Sequence, residues 1–232
     1  MISGDPLHDG MPRRAGYRVT PCAGAWQAVP MAVNLPLVPV LDRPDLLAPA
    51  TAKALEQLAS EGVLDPVAVE VAAIDPDLAD TAAFCAEYGV GLEESANCVV
   101  LAGKRAGEVV YAACVVLAAT KADVNGLARK HLGVRKVSFA PMDEAVGLTG
   151  MEYGGITPVG LPADWPILVD RAVAEAPRVV IGSGVRGSKL WIAGATVAKL
   201  PSVEILDGLG RSVHAPVAED GARADGASAA AP

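Results

Sequence analysis

Two long apolar runs separated by four residues place the strongest constraint on what this chain can fold into. The runs are ANCVVLAG at residues 96–103 and EVVYAACVVLAAT at 108–120. Valine-rich runs of this kind are typical of β-strands, and so short a link favours antiparallel pairing. The pair therefore predicts a β-hairpin, and a purely parallel, doubly wound sheet does not fit.

Helix signals alternate with further strand-like runs. Typical cap and stop residues predict helices at 51–62, 75–89, 123–133 and 141–150. Thr51, Asp75 and Asp123 are the expected N-terminal caps. The other predicted strands are 67–74, 136–140, 166–170, 178–182, 189–193 and 203–206. We predict a mixed α/β fold, with a curved or barrel-like mixed sheet and helices packed outside it.

Both ends of the chain differ in composition from its middle. Residues 1–50 hold 8 of the 18 prolines, which predicts an N-terminal extension that is extended or mobile. Residues 211–232 are a low-complexity stretch and predict a disordered tail. The folded domain is expected at residues 51–210.

The charge balance limits the possible partners. The net charge of −8 argues against a protein that binds a polyanion over its whole surface. The stretch at 121–136 is locally basic, and Arg129 and Lys130 are its candidate nucleic-acid contacts. The alternative is an ordinary solvated helix face.

Cysteine and histidine usage indicates neither a metal centre nor a disulfide framework. The four cysteines form no CxxC pair, and the three histidines are scattered. Reduced core cysteines favour a cytoplasmic protein, and no apolar stretch is long enough to span a membrane. We expect no metal and no cofactor.

One motif resembles a dinucleotide-binding fingerprint. IGSGVRG at 181–187 contains G-x-G-x-x-G after an apolar strand. In a dinucleotide site the motif would open a helix, whereas SKLWIAG reads as a strand. The motif therefore predicts a turn that joins two strands.

Several segments together resemble the YbaK/EbsC family, also called the prolyl-tRNA-synthetase-associated domain. The most telling is GGITPVGLP at 154–162, a glycine-rich string that suits neither a core strand nor a helix. VRKVSFAPMDEAVGLTG before it, PILVD at 166–170 and RVVIGSGVRGSKLWI at 178–192 follow the family's order and spacing. The resemblance implies a six- or seven-stranded, partly open barrel of mixed strands with flanking helices. It also implies an aminoacyl-tRNA editing deacylase acting at the acceptor end, with Arg129 and Lys130 as the candidate tRNA contacts.

The resemblance assigns substrate-binding roles to two glycine-containing segments. In the first, the two glycines permit positive φ and a close approach to a ligand, and the proline fixes the next turn. The main-chain groups of this segment can then face a pocket and either bind the sugar of the terminal adenosine or steady the ester carbonyl, and Gly155 is the expected catalytic position. The expected substrate-binding residues are Gly154, Ile156, Thr157, Pro158, Gly182, Ser183 and Gly184. The alternative for the first segment is a tight turn between a helix and a strand.

Two polar residues complete the expected site. Family members carry a lysine on the strand after the second helix, and Asn97 stands at the matching position. Asn97 can donate a hydrogen bond but supplies no cation, and its alternative role is to bond backbone at a strand start. Asp170 matches the family's aspartate, and its alternative role is a bond to nearby backbone.

Three functions remain open on these residues. The first is a freestanding trans-editing hydrolase that removes a wrongly attached amino acid from tRNA. The second is a non-catalytic protein that binds aminoacyl-tRNA or a small ligand, which Asn97 favours. The third is a thiol enzyme using Cys98, although no nearby His or Lys in the sequence would lower the thiol pKa.

Overall fold

The structure, a computed structural model, describes residues 35–212. Residues 1–34 of the predicted extension and 213–232 of the predicted tail lie outside the described residues. The helices are α1 Pro49–Ser60, α2 Thr81–Tyr88, α3 Arg129–His131, α4 Met142–Thr149, α5 Arg171–Ala174 and α6 Gly194–Val197. The strands are β1 Val38–Pro39, β2 Glu70–Ala73, β3 Ala96–Arg105, β4 Glu108–Leu117, β5 Thr120–Ala122, β6 Val137–Phe139, β7 Ile167–Asp170, β8 Val179–Gly182, β9 Ser188–Ile192, β10 Val203–Leu206 and β11 Gly210–Ser212.

The described strands form two main sheets. One has the order β1-β2-β9-β8, and the other has the order β10-β7-β4-β3-β6. β7 runs parallel to both β4 and β10, whereas the remaining pairs in these sheets are antiparallel. The mixed α/β class is confirmed. The sheets do not close on themselves, so the predicted barrel is not confirmed.

Both predicted hairpins are present. β3 and β4 pair along their full length, and Ala106 and Gly107 alone make the link. The glycine motif at 181–187 lies in the turn between the antiparallel strands β8 and β9. It therefore opens no helix, as the strand pattern of SKLWI predicted.

The helix boundaries differ from the prediction at three starts, and the third is α3, which begins at Arg129 after a π-helical turn at Val124–Ala128. α1 begins at Pro49, so Thr51 is inside the helix, and its buried hydroxyl donates to the Val159 carbonyl at 3.2 Å. Asp75 caps only a 3₁₀ turn, and α2 starts later at Thr81. The predicted cap at Asp123 is present, because its carboxylate accepts from two backbone N–H groups.

The two main sheets adjoin at the start of β3. Ser95 makes a parallel bridge to Val180 of β8, and the Val180 N–H donates to the Glu94 carbonyl at 2.7 Å. Apolar side chains from β4, β7, β8 and β9 fill the core around this junction. No helix within residues 35–212 is both long and apolar enough to cross a membrane.

Candidate functional site

A cavity of about 510 Å³ lies beside the junction of the two sheets. Its walls come from the start of α2, from β3, from β8 and β9, from α4, and from the glycine-rich segment at 151–162. The lining residues used below are Thr81, Asn97, Cys98, Phe139, Met142, Tyr153, Gly154, Ile156, Gly182 and Lys189.

Close backbone packing holds the glycine-rich segment against the β8–β9 turn. The Gly184 N–H donates to the Gly155 carbonyl at 2.8 Å, and the Glu152 N–H donates to the Gly184 carbonyl at 2.8 Å. A Cβ on Gly155 would lie 2.5 Å from the carbonyl of Val185. Gly155 is therefore required for backbone contact within the protein, while Gly154 has the positive φ of +83°.

Four of the predicted site residues share the cavity: Asn97, Gly154, Ile156 and Gly182. A Cβ on Gly182 would lie 2.3 Å from the Gly155 carbonyl oxygen, so this glycine also permits the close packing of the two segments. The sequence resemblance therefore located the cavity through its glycines.

The other residues of the two predicted segments do not line the cavity: Gly155, Thr157, Pro158, Ser183 and Gly184. The buried Ser183 hydroxyl bonds to Ser188 across the hairpin, with 2.7 Å between the two hydroxyl oxygens. The buried Thr157 hydroxyl has no hydrogen-bond partner among the described residues. Ser183 and Gly184 therefore have hydrogen-bond partners within the protein, and the substrate-binding roles of these five residues stay predictions.

Asp170 does not line the cavity. Its carboxylate caps α5 by accepting from the Ala172 N–H at 3.0 Å, and it also accepts from the Gly210 N–H at 2.6 Å. Asp170 is buried at the end of β7 and ties two chain segments together. Asp170 therefore does not share the cavity with Asn97, contrary to the expectation. The two bonds from backbone N–H groups to the Asp170 carboxylate account for the position of this residue.

Asn97 lies on the cavity wall at the start of β3. Its side-chain oxygen accepts a hydrogen bond of 2.6 Å from the Thr81 hydroxyl at the start of α2. Thr81 fixes the orientation of the amide, so the NH₂ end is the group available to donate to a ligand.

Lys189 is the site residue that the sequence analysis missed. It lies on β9, its side chain is only 7% exposed, and it lines the cavity. Its ammonium donates to the Ala79 carbonyl at 3.0 Å and to the Gly154 carbonyl at 3.4 Å. The only trace of it in the sequence was a single charge at the start of the apolar run KLWIA, which does not by itself indicate burial.

Burial shifts the protonation of two cavity groups in ways that matter for chemistry. Burial, and then the Arg186 charge, lower the pKa of Lys189 to about 8, while Asp80 opposes the decrease. Burial also raises the pKa of the Cys98 thiol, so this thiol stays protonated at neutral pH. A protonated thiol is a weak nucleophile, which argues against the thiol enzyme.

Apolar side chains surround the mouth of the cavity. Phe139 is 61% exposed and Tyr153 is 57% exposed, and Met142 is also exposed. All three line the cavity although they face solvent. Exposed aromatic rings beside a polar cavity suit a ligand with a flat ring.

A basic groove lies next to the cavity. Its walls include Lys104 of the β3–β4 hairpin, Arg135 and Lys136, together with Val137 and Ser138 of β6. β6 continues from the groove to Phe139 at the cavity mouth, so the two concave surfaces share one strand. Glu144 is an acidic residue on the groove wall and accepts from the Tyr111 hydroxyl at 2.8 Å.

The two predicted tRNA contacts do not line this groove. Arg129 is half-buried, and its Nε donates to the Asn125 carbonyl at 2.8 Å, whereas Lys130 is exposed. Within residues 35–212, no cluster of three or more His, Cys, Asp and Glu side chains is placed to hold a metal ion.

A family model described as the aminoacyl-tRNA editing domain matches residues 75–200, more than half of the chain. The chain belongs to this family. The matched region contains the cavity lining named above and the glycine-rich segment.

Solved structures share the fold at low sequence identity. One is a proposed trans-editing enzyme for prolyl tRNA synthetase, with a TM-score of 0.57 and 19% identity, covering 69% of this chain and 97% of that chain. Another is the hypothetical protein APE2540, with a TM-score of 0.56 and 23% identity, covering 67% of this chain and 97% of that chain. At these identities the likeness shows the fold alone.

Proposed function

We propose that this protein hydrolyses the ester bond between a wrongly attached amino acid and tRNA, acting in trans as a freestanding editing enzyme. One observation carries the proposal. In a chain of the editing family, the glycine-rich segment, the Asn97 amide and a buried lysine converge on one cavity.

The reaction needs little from the protein, because an aminoacyl ester is already activated. A water oxygen bonds to the ester carbonyl carbon, and negative charge develops on the carbonyl oxygen. The bond from that carbon to the ribose oxygen then breaks, and the ribose oxygen takes a proton that came from water. The cavity has to hold the ester, stabilise the oxyanion and limit the size of the amino acid.

Asn97 suits the positioning role. Its side-chain oxygen is engaged by Thr81, so its NH₂ group can donate to a ribose hydroxyl or to the ester oxygen. Asn97 and the Gly154 main chain lie on the wall of one cavity, so both can contact a bound 3′ end.

The surface around the cavity suits the acceptor end of tRNA. Unpaired bases stack on exposed aromatic rings, which Phe139 and Tyr153 supply at the mouth. Lys104 of β3, with Arg135 and Lys136 just before β6, lines the adjacent groove, where the phosphates of the preceding nucleotides would pass. Because the chain carries a net charge of −8, such a contact has to be local.

The alternative is a binding protein that holds aminoacyl-tRNA or a small ligand without hydrolysing the ester. The neutral Asn97 favours it, because family members carry a lysine at that position. The Lys189 ammonium supports hydrolysis instead, since it places a cation on the cavity wall.

A panel of tRNAs, each charged with a cognate or a non-cognate amino acid, separates the two functions. Release of the amino acid is measured with the wild type, Asn97→Ala and Leu148→Ala. Leu148 is an exposed apolar residue of α4 outside the cavity lining and provides the matched control. We expect hydrolysis of at least one mischarged tRNA by the wild type and the control, and a large loss in Asn97→Ala. Binding of the panel without hydrolysis would support the alternative.

A further inference from the structure

Lys189 is a buried ammonium that forms no ion pair. None of the ion pairs within residues 35–212 includes it, and the residue is only 7% exposed, although the Asp80 carboxylate lies near enough to favour its charge. Its direct contacts include two carbonyl oxygens and the Phe84 ring, whose centroid lies 5.6 Å from Nζ. A buried charge without a counter-ion is costly, so such groups are concentrated at functional sites.

The number of donors on the ammonium gives this lysine a direction. An ammonium has three N–H groups, and the Ala79 and Gly154 carbonyls accept from two of them. One carbonyl comes from the residue segment before α2 and the other from the glycine-rich segment, and Lys189 lines the cavity between them. Among the described residues no other hydrogen-bond acceptor contacts the ammonium, so its third N–H can donate to an oxygen of a ligand in the cavity.

We infer that Lys189 is a catalytic residue of this chain, and that its ammonium binds the ester carbonyl oxygen as negative charge develops there. This inference rests on the proposed ester hydrolysis. The lysine keeps its proton throughout, so it acts as an electrostatic donor and not as a base or a nucleophile. The cation comes from β9, whereas the family pattern places its lysine on the strand that carries Asn97 here.

The charged surroundings allow the ammonium form at neutral pH. Arg186 in the β8–β9 turn opposes the charge, Asp80 before α2 favours it, and the Cys85 thiol on α2 faces the same ammonium. Burial raises the pKa of Cys85, so this thiol is neutral when the ammonium is present. Lys189 has a pKa of about 8, so oxyanion binding is expected to weaken above that pH.

Two adenosine derivatives test the role without depending on turnover. The first carries a glycyl amide at the 3′ position and mimics the ground state. The second carries an aminomethylphosphonate ester at the same position and places a charged tetrahedral group where the reaction would generate one. Their dissociation constants are measured for the wild type, Lys189→Met and Lys189→Gln, after the fold of each variant has been checked by circular dichroism.

We expect the phosphonate to bind both variants at least about tenfold more weakly than the wild type, the loss typical of one charged hydrogen bond. The amide is expected to bind all three proteins alike. Phosphonate affinity of the wild type should also decrease above about pH 8, whereas Lys189→Gln should show no such decrease.

Equal phosphonate affinity in the wild type and in both variants would overturn the role of Lys189, and so would equal losses for the amide and the phosphonate. The tRNA panel gives a separate result for the proposed function. If the wild type hydrolyses the ester and Lys189→Met does so at the same rate, the role of Lys189 fails while the function stands. If the wild type hydrolyses nothing but binds the phosphonate through Lys189, the function fails and the oxyanion contact stands.

Discussion

The Lys189 ammonium lies 3.4 Å from the Gly154 carbonyl oxygen, and this contact joins β9 to the glycine-rich segment. The same ammonium lies 3.0 Å from the Ala79 carbonyl oxygen. Three chain segments far apart in sequence therefore meet at one buried charge. The stability and the ligand binding of the protein are therefore expected to depend on that charge and on the residues that line the cavity.

Replacing Lys189 should change how stability depends on pH. The folded pKa of about 8 is below the unfolded value of 10.5, so at pH 7 both states are protonated and the full cost of the buried charge is present. Between about pH 8 and 10.5 the unfolded chain holds more protons, so the wild type gains stability as the pH rises. The gain reaches about 3 kcal/mol.

Lys189→Met should lack this gain. Urea unfolding gives the free energy of unfolding of both proteins at pH 7 and pH 10. The change with pH is then compared between the two proteins, so that titrations common to both cancel. If the difference in unfolding free energy between the wild type and Lys189→Met stays constant over this pH range, the lysine is not held in a buried state.

Gly155→Ala should destabilise the protein rather than affect only binding. The new Cβ would lie 2.5 Å from backbone atoms of Val185, which cannot move without displacing the β8–β9 turn. We expect a loss of about 1–3 kcal/mol in the free energy of unfolding. Gly147→Ala is the matched control, because a Cβ at this helical position meets no atom within 4 Å. Gly147→Ala should stabilise by about 0.5–1 kcal/mol. Equal changes in the free energy of unfolding for the two substitutions would show that close packing at Gly155 is not what requires a glycine there.

Phe139→Ala and Tyr153→Ala should each weaken binding of the tRNA 3′ end. Stacking of one base on an aromatic ring contributes about 1–3 kcal/mol. Binding of deacylated tRNA and of a tRNA lacking its terminal adenosine is measured by fluorescence anisotropy. The aromatic variants should lose affinity mainly for the intact tRNA, while Leu148→Ala, 47% exposed in the wild type but outside the cavity lining, should bind as the wild type does. Unchanged affinity in both aromatic variants would mean that the rings do not contact the terminal base.

Charge reversal should distinguish the groove beside β6 from the α3 surface. Lys104→Glu with Lys136→Glu changes the groove, whereas Arg129→Glu with Lys130→Glu changes α3. Each lost phosphate contact lowers the slope of log affinity against log salt by about 0.7–0.9. We expect the groove pair to lower the slope more, because Arg129 is half-buried and bonded to Asn125. A larger effect from the α3 pair would instead support the candidate contacts Arg129 and Lys130.

Short sequence patterns predicted many of the helices and strands of the fold. The β3–β4 hairpin follows from two apolar runs and a short link, and Gly89 and Gly150 end their helices with the positive φ that a helix stop requires. The separation into two main sheets is not local, because it depends on β2 pairing with β9 across more than a hundred residues. No short pattern encodes that pairing, so the sequence favoured one barrel-like sheet.

The cavity was predictable through its glycines, but its charge was not. Gly154 and Gly182 stand in strings that suit no regular element, which drew attention to them. Lys189 begins the run KLWIA, and a lysine at a strand end ordinarily points to solvent. Its burial depends on α2 and the glycine-rich segment covering β9, and only the tertiary structure shows this. Asp170 matched a family pattern, yet its carboxylate is occupied by two backbone N–H groups.

The most direct test of the central claim is the single-turnover rate of amino-acid release from mischarged tRNA with the wild-type protein in excess. The account predicts first-order release well above the protein-free rate for at least one mischarged tRNA. It also predicts a decrease of about 10²–10³-fold in Lys189→Met, the loss typical of removing one oxyanion donor. Saturating binding of every tRNA in the panel, with release no faster than in the absence of protein, would contradict it.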